Sequence, residues 1–342
     1  MPPQQRADAH RARCVVTRML PGTALDRLRE RHDVLVWEGE LPPSREALVG
    51  LVRDAEGLLA LLTDRIDPEL MDAAPKLRAV SNYAVGFDNI DVAGATARGI
   101  AIGNTPDALT DATAELTLAL LMARARGIVE GDAFVRSGAW RTWSPTAFLG
   151  AGLTGATMAV IGPGRIGTAV ADRARGLRMR VLVQGRQDSR EHLRAVLAES
   201  DVVSLHCPLT PETALLIDGR TLAWMKPGAI LINTSRGGLV DLDAVADALD
   251  AGRLGGAALD TMDPEPVPLG HRILSTPRVT VTPHIGSGTA AARAAMADAA
   301  VDNLLLALDG ERMRFPVNTV AGRANASSTP VPPSTSSTDR PI

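Results

Sequence analysis

The sequence predicts an α/β protein with two parallel sheets, each covered by helices on both faces. Short apolar runs alternate with helix-like segments in the N-terminal part, and a second such series begins near residue 156. This alternation is typical of βαβ units and favours parallel strands. The length of 342 residues suggests about two domains, which agrees with two separate series.

The first series lies in the N-terminal part of the chain. Its strands are predicted at residues 14–20 and 33–37 and in the runs GLLALLT, LRAVSNY and GIAIGNT. The segment TALDRLRERH, between the first two strands, places Leu25 and Leu28 at helical spacing. Ser44 is the expected N-cap of a helix over residues 44–55, and another helix is predicted to begin at Pro68.

A long helix and the second series follow. Residues 110–126 predict a helix that is apolar nearly all round, which is typical of a buried helix, here between two domains. The strands of the second series are predicted at residues 156–162, 180–184, 201–206, 229–235, 255–260 and 279–284. A helix over residues 289–308 would return the chain to the first domain.

Both ends of the chain differ in composition from the rest. From Ala321 the sequence is rich in Ser, Thr and Pro and has almost no large apolar side chains. Such a segment cannot offset its ordering entropy by burial. We therefore expect a disordered tail over residues 321–342 and, for similar reasons, a loose arm over residues 1–11.

The overall composition excludes several classes of protein. Lys and Arg total 36 against 39 Asp and Glu, so charge gives no reason to expect a nucleic-acid or membrane partner. No apolar run approaches the ~18 residues of a membrane helix, and no signal peptide is expected before Cys14. Because Cys14 and Cys207 cannot form a disulfide framework, a reducing, cytoplasmic setting is expected. No metal site is predicted.

The clearest local motif is Gly162-Pro163-Gly164-Arg165-Ile166-Gly167, which fits G-x-G-x-x-G between a predicted strand and a predicted helix. Gly162 suits the tight turn, Gly164 allows the backbone to approach a pyrophosphate, and Gly167 allows close packing of helix and strand. The N-terminus of the following helix offers free N–H groups to phosphates. This context favours a dinucleotide site over a glycine-rich turn without a ligand.

The residues after the second strand of this series indicate which dinucleotide binds. NAD-selective sites usually carry an acid roughly 20 residues beyond the glycines. Here the sequence reads Gln184-Gly185-Arg186-Gln187, without an acid. Arg186 could pair with a 2′-phosphate, so NADP(H) is favoured over NAD(H), although a solvated surface arginine is the alternative.

Ligands of open parallel sheets bind beyond the carboxyl ends of the strands, so the polar residues there are candidates. They are His206, Cys207, Ser235, Arg236, Asp260, Glu265 and His284. Arg236 could anchor a carboxylate, His284 could exchange a proton near neutral pH, and Glu265 could support that imidazole. His206 competes with His284 by position alone. Nucleotide, arginine, carboxylate and histidine together suit hydride transfer to a 2-oxo acid.

Several motifs in order carry a resemblance to a known family. The runs are GPGRIG, NTSRGGLVD, LDTMDPEP and TPHIGSGT, and they resemble the D-isomer-specific 2-hydroxyacid dehydrogenases. The runs NYAVGFDNIDVAGATARGI, NTPDALTDATAELTLALLMARA and FVRSGAWRTW are similar to the glyoxylate/hydroxypyruvate reductase branch. The likeness extends from about Arg13 to Val320.

The resemblance implies two Rossmann-like lobes with a discontinuous boundary. A flavodoxin-like substrate domain would comprise residues 12–105 and 286–320. An inserted NAD(P)-binding Rossmann domain would comprise residues 106–285. The tail over residues 321–342 belongs to neither lobe.

The resemblance also implies roles for single residues. Arg236 would bind the substrate carboxylate and carbonyl, His284 would give the proton, and Glu265 would support His284, which decides against His206. Backbone N–H groups at Val85-Gly86 would bind the substrate carboxylate. Nucleotide contacts would fall on Gly162, Pro163, Gly164, Arg165, Ile166, Gly167, Gly185, Arg186, Gln187, Thr234, Ser235, Asp260, Ile285 and Gly286.

In this branch the segment RSGAWRTW reaches across a homodimer, and a tryptophan there shapes the partner's substrate pocket. We assign that role to Trp143, with plain interface packing as the alternative.

The sequence departs from the family at two internal places. Pro163 replaces a bulky apolar residue and removes one backbone donor near the phosphates. The segment from Asp188 to Ser200 is about ten residues short, so a helix–strand pair is expected to be reduced or missing.

Other activities remain open at this stage. The substrate could be another D-2-hydroxy acid, a phosphoglycerate or phosphite, whereas formate dehydrogenases carry glutamine where Glu265 stands. A nucleotide-sensing module like the corepressors of this fold is the alternative from another class.

Overall fold

The first sheet has five parallel strands in the order β2-β1-β3-β4-β5. This is a computed structural model, and it describes residues 10–320. The strands are β1 (Arg13–Val16), β2 (Asp33–Val36), β3 (Gly57–Ala60), β4 (Ala79–Asn82) and β5 (Ala101–Gly103). The connecting helices are α1 (Ala24–Arg31), α2 (Arg45–Val52), α3 (Pro68–Asp72) and α4 (Val92–Ala97). The order is that of flavodoxin-like sheets.

The second sheet has six parallel strands in the order β11-β10-β9-β8-β6-β7. They are β6 (Thr157–Ile161), β7 (Arg180–Gln184), β8 (Val202–Leu205), β9 (Ala229–Asn233), β10 (Leu254–Leu259) and β11 (Val279–Val281). The helices are α5 (Thr110–Arg126), α6 (Ile128–Arg136), α7 (Arg165–Gly176), α8 (Arg190–Glu199), α9 (Gly219–Leu222), α10 (Leu242–Asp250) and α11 (Ala290–Leu308). The predicted fold class, two parallel-sheet α/β units, is confirmed.

Both faces of the first sheet are buried, because successive side chains on each strand enter different cores. Cys14 and Val16 pack with α1 and α11, whereas Val15 between them packs with α2, α3 and α4. On β3, Leu59 joins the first of these cores and Leu58 the second. This two-sided burial explains the continuous apolar runs in the sequence.

The predicted helix starts are confirmed at the side-chain level. The Ser44 hydroxyl accepts a hydrogen bond from the backbone N–H of Ala47, and Pro68 is the first residue of α3. Thr289 caps α11 in the same way.

The apolar sequence of α5 predicted a buried helix between two domains. The structure places α5 on the second sheet instead. It packs on β9, β10 and α7, and exposes Asp111, Glu115 and Arg126. Only its N-terminal end is near the first sheet, where Leu109 contacts a cluster that includes Val85. The sequence misled because the outer face of α5 carries the apolar residues Ala119 and Met122 beside its charged ones.

Helix α11 follows the second sheet along the chain but packs on the first. It contacts α1, β3 and β4, and its buried alanines allow close approach to the sheet. These contacts support the predicted division into residues 12–105 with 286–320 and residues 106–285, which remains a prediction.

The shortened segment between β7 and β8 keeps its helix and lacks a strand. Helix α8 connects β7 directly to β8, and within residues 10–320 no other strand lies beyond β7. The expectation of a reduced pair is therefore right for the strand and wrong for the helix. Strand β7 becomes the edge of the sheet.

The predicted disordered tail over residues 321–342, and residues 1–9 of the predicted loose arm, lie outside the described residues. The last two residues of the predicted arm are held in place, since Arg11 donates hydrogen bonds to three backbone carbonyls at the end of α1. None of the helices described here has the length and apolar character to cross a membrane.

Candidate active site

The candidate site lies at the carboxyl ends of β9, β10 and β11. These three strands are neighbours in the sheet, so the segments that follow them meet at one edge. Arg236 follows β9, Glu265 follows β10 and His284 follows β11. Gly237, beside Arg236, packs so closely on the chain after β10 that a Cβ would lie 2.0 Å from the Met262 carbonyl carbon.

His284 and Glu265 form a hydrogen-bonded pair. The Nδ1 atom of His284 lies 2.7 Å from Oε1 of Glu265. A carboxylate at Nδ1 favours the tautomer that donates there, and it fixes the ring plane. Nε2 then remains for proton exchange with a ligand. His284 itself has a φ of 53°, a conformation that lets the chain turn sharply after β11.

Asp260 holds the turn that carries His284. Its carboxylate accepts hydrogen bonds from the N–H groups of Ile285 and Gly286 and from the Thr282 hydroxyl. The side chain is fully buried. Asp260, Ile285 and Gly286 were expected among the nucleotide contacts. In this structure the Asp260 carboxylate and both N–H groups bond to each other, where they position His284, and the nucleotide contacts remain a prediction.

Arg236 is held by protein acceptors on two sides. Its Nε donates to Oδ1 of Asp88 at 2.8 Å, and its Nη1 donates to the Ser235 carbonyl at 2.9 Å. Nη2 points at the Gly86 backbone, since a Cβ on that glycine would lie 1.7 Å away. The guanidinium from the second sheet therefore meets the loop after β4 of the first sheet.

Asn233, the last residue of β9, shapes the turn that presents Arg236. Its side chain donates to the Arg236 carbonyl at 2.8 Å and accepts from the Ser235 N–H at 3.1 Å. Sequence reasoning missed this buried residue. An asparagine directly before a turn is the signal that could have indicated it, because Asn side chains bond to the backbone two residues on.

The peptides of the loop after β4 are oriented by hydrogen bonds to their carbonyls. The carbonyls of Ala84, Val85 and Gly86 accept from Thr105 N–H, Asn104 Nδ2 and Asn82 Nδ2, respectively. In a trans peptide the N–H points away from the carbonyl. The N–H groups of Val85 and Gly86 therefore point away from these donors, and no acceptor within residues 10–320 engages them. Their predicted binding of a substrate carboxylate remains a prediction.

The glycine loop has the geometry that a dinucleotide requires. A Cβ on Gly162 would lie 2.5 Å from the Cys207 backbone nitrogen, and a Cβ on Gly167 would lie 2.2 Å from the Gly162 carbonyl oxygen. Above Gly164 there is open space, with no atom within 4 Å of such a Cβ. The N-terminus of α7 has no side-chain cap, so its N–H groups are available to a pyrophosphate.

The other residues of the glycine loop border this space. Pro163 and Arg165 are exposed, and Ile166 packs in the cluster with Leu109. Arg165 forms a 2.6 Å ion pair with Asp107, which precedes α5. The loop is thus tied to the segment that follows the first sheet.

An exposed cation, Arg186, follows β7. Asp188 accepts a hydrogen bond from the Gly185 N–H, and the Gln184 side chain bonds to His192. Arg186 and Gln187 point outward. The predicted pairing of Arg186 with a ribose phosphate remains a prediction.

Thr234 and Ser235, which follow β9, form hydrogen bonds to α5 and to the segment after β8. The Thr234 hydroxyl lies 2.9 Å from that of Thr117 on α5, and the Ser235 hydroxyl donates to the Cys207 carbonyl. In this structure both hydroxyls are therefore used in contacts within the protein. The predicted nucleotide contacts of these two residues remain a prediction.

Comparison with known proteins identifies the family. A glyoxylate reductase of Thermococcus litoralis is 44% identical over 310 residues, which cover 86% of this chain and 93% of that protein. A glyoxylate reductase of Pyrococcus furiosus is 46% identical, covering 86% and 92%. The model "D-isomer specific 2-hydroxyacid dehydrogenase, NAD binding domain" matches residues 118–286. The chain belongs to the D-isomer-specific 2-hydroxyacid dehydrogenase family.

Solved structures agree with the fold of this dehydrogenase. A Thermus thermophilus protein superposes with a TM-score of 0.85 at 48% identity, covering 90% of this chain and 100% of that one. An NADPH-dependent glyoxylate/hydroxypyruvate reductase of Sinorhizobium meliloti, solved with NADP and malonate, superposes with a TM-score of 0.79 at 31% identity. It covers 93% of this chain, and all of that protein is matched. The predicted family is therefore confirmed.

His206 does not take part in the site of this dehydrogenase. Its Nε2 lies 2.8 Å from the hydroxyl of Ser204, and burial lowers the pKa of His206 to about 4. The ring is therefore neutral near pH 7 and has no proton to give there. Its place beside Gly162 makes it part of the support for the glycine loop.

Trp143 lies in the exposed segment that follows α6. The residue is 76% exposed, and no hydrogen bond within residues 10–320 links it to Arg236, Glu265 or His284. The predicted role of Trp143 in a partner's substrate pocket remains a prediction.

Proposed function

We propose that this dehydrogenase uses NADPH to reduce glyoxylate or hydroxypyruvate to glycolate or D-glycerate. The observation that carries the proposal is the meeting of three parts at one edge. Arg236 and the His284–Glu265 pair follow neighbouring strands, and Nη2 of Arg236 lies against Gly86, in the loop whose Val85 and Gly86 N–H groups have no acceptor within residues 10–320. The similar glyoxylate reductases support the substrate class.

Different residues bind the substrate, polarise its carbonyl and supply the proton. The Val85 and Gly86 N–H groups and Arg236 bind the substrate carboxylate, and Arg236 polarises the adjacent carbonyl. A bound, reduced nicotinamide supplies the hydride that forms the new C–H bond. His284 gives the proton from Nε2 to the carbonyl oxygen, while Glu265 holds the ring at Nδ1. The 2-oxo acid thereby gains one hydride and one proton.

The glycine loop and Arg186 would hold the nucleotide. The open space above Gly164 and the uncapped start of α7 fit a pyrophosphate. Arg186 is exposed and can form charge-assisted hydrogen bonds with a 2′-phosphate. The Sinorhizobium meliloti enzyme, which is NADPH-dependent by name, supports this preference.

A homodimer completes the proposal. Large apolar side chains are exposed on α6 and the segment after it: Ile128, Val129, Val135, Trp140, Trp143, Phe148 and Leu149. A single-chain protein rarely exposes so many together, so a second copy is the expected cover. In that arrangement Trp143 would reach the partner's substrate pocket. A reducing, cytoplasmic setting is also proposed, since Cys14 and Cys207 are free, buried thiols.

The deciding experiment follows nicotinamide absorbance with NADPH and with NADH against a panel of 2-oxo acids. We expect turnover of glyoxylate and hydroxypyruvate, with higher kcat/KM for NADPH. The variant His284→Gln should bind NADPH normally and lose ~10²–10⁴-fold in kcat, because it lacks the proton donor.

Each part of the proposal can fail separately. A clear NADH preference would contradict the assignment of Arg186. Near-normal kcat in His284→Gln would contradict the proton donor. A protein that binds NADPH but turns over none of the 2-oxo acids would be a nucleotide sensor instead.

A further inference from the structure

The loop that binds the substrate carboxylate also carries an acid in contact with Arg236. Asp88 lies two residues after Gly86, and its Oδ1 accepts a 2.8 Å hydrogen bond from Arg236 Nε. The two side chains are 37% and 22% exposed, respectively. No motif in the sequence singled out Asp88 as part of the site.

The contact with Asp88 occupies one edge of the Arg236 guanidinium and leaves another edge for a ligand. Arg236 has five N–H donors, of which Nε is used by Asp88 and one on Nη1 by the Ser235 carbonyl. The remaining donors lie on the Nη1 and Nη2 side, next to Gly86. The N–H groups of Gly86 and of its neighbour Val85 have no acceptor within residues 10–320. Asp88 therefore occupies Nε and leaves the terminal nitrogens for a ligand.

Asp88 is itself held by a rigid loop. The next residue, Asn89, donates to the carbonyls of Leu61 and Asp64, and it accepts from Asn82 Nδ2 at 3.1 Å. These bonds connect the loop to the ends of β3 and β4. An acceptor on such a support can fix a long, rotamer-rich side chain that comes from the other sheet.

We propose that Asp88 is a positioning residue for substrate binding, which acts by orienting Arg236 across the cleft. The proposal rests on the proposed function and names a residue that determines its geometry. What positions Arg236 is the acceptor atom, because a carboxylate beside an anionic substrate adds repulsion rather than affinity. Asn at this position keeps the acceptor and loses the charge, whereas Ala loses both.

The test compares Asp88→Ala and Asp88→Asn with the wild-type protein in steady-state reduction of glyoxylate by NADPH. We expect Asp88→Ala to raise KM for the 2-oxo acid and to lower kcat/KM ~10–100-fold, because Arg236 is no longer aligned. Asp88→Asn should recover most of that loss. The dissociation constant for NADPH and the melting temperature should stay near the wild-type values in both variants.

Two controls separate positioning from general structure. Asp54→Ala removes an exposed acid between α2 and β3 that pairs with Lys76 at 2.9 Å, and it should leave kcat/KM unchanged. In an Arg236→Lys background, which already lacks the Nε contact, Asp88→Ala should cause little further loss. Additive losses would contradict action through Arg236.

Oxamate, an unreactive analogue of a 2-oxo acid, provides a readout without turnover. Calorimetry should find weaker oxamate binding to NADPH-loaded Asp88→Ala than to the wild type. If the wild type reduces glyoxylate and Asp88→Ala matches it in kcat/KM and oxamate binding, the role of Asp88 is wrong and the function stands. If the wild type reduces no 2-oxo acid, the function is wrong, and oxamate binding still decides about Asp88.

Discussion

At the scale of single residues, buried polar side chains hold the chemically active ones. Asn233 shapes the turn of Arg236, and Asp260 shapes the turn of His284. Both supporting residues are fully buried. Removing either would leave backbone groups without partners, at about 1–3 kcal/mol for each buried group. The active side chains can therefore be partly exposed to a ligand and still be oriented.

His206 makes a pH-dependent contribution to stability. Burial lowers its pKa to about 4 in the folded protein, against ~6.5 when unfolded. The unfolded state takes up the proton first, so stability is fully present above pH ~6.5 and is lost as the pH falls towards 4. The loss amounts to at most about 3 kcal/mol.

The variant His206→Asn tests this contribution. Urea unfolding at several pH values between 4 and 7 should give a shallower loss of unfolding free energy for the variant than for the wild type. Only the pH dependence is compared, because the variant also changes the contact with Ser204. Parallel curves would show that His206 does not titrate in this range.

At the scale of elements, the contact between β6 and α7 determines both packing and ligand approach. Gly167 lies where the first turn of α7 touches the preceding loop, and Gly164 lies where the loop faces open space. The same motif thus contains a glycine required by the fold and a glycine required by the ligand.

Two alanine variants separate these roles. In Gly167→Ala the added methyl meets the Gly162 carbonyl, so overpacking should lower stability by about 1–3 kcal/mol and weaken NADPH binding. In Gly164→Ala the methyl meets no protein atom, so the melting temperature should stay unchanged while NADPH binds more weakly. Gly176→Ala, also in open space, is the control for an added methyl on α7. Equal melting temperatures for all three variants would contradict the packing role of Gly167.

At the scale of the whole molecule, the cleft between the two sheets is bordered by contacts from both. Leu109 and Met296 form a small apolar cluster with Val85, and Arg165 pairs with Asp107 close by. On another surface, α6 and the segment after it expose apolar side chains. The proposed dimer accounts for that surface and places Trp143 at a shared pocket.

Analytical ultracentrifugation tests the dimer. The wild type should sediment with twice the 35.9 kDa of one chain, and Val135→Asp should shift it towards the monomer by placing a charge in the interface. Leu269→Asp, at a residue that is 95% exposed outside this surface, should leave the dimer intact. Trp143→Ala should keep the dimer and raise KM for the 2-oxo acid. A monomeric wild type would contradict both the dimer and the role of Trp143 in a partner's pocket.

Much of the fold could be predicted because local patterns reflect two-sided burial. The strand runs, the N-cap Ser44 and the start of α11 at about Thr289 were readable from composition and spacing. The position of α5 was not, since an alanine-rich helix does not reveal which face its neighbours cover. The short segment after β7 predicted a reduced or missing helix–strand pair. It did not predict that the strand is the missing element, because length alone does not say which of the two elements is lost.

The sequence by itself determined the fold class, the glycine loop and the family, because these depend on residue types at fixed spacing. Only the tertiary structure decided how the parts meet. It placed Asp88 on Arg236 and turned the Asp260 carboxylate inward, beneath His284. The physical reason is that these contacts join segments apart in the chain: the first depends on how the two sheets meet, and the second on how neighbouring strands of one sheet end together.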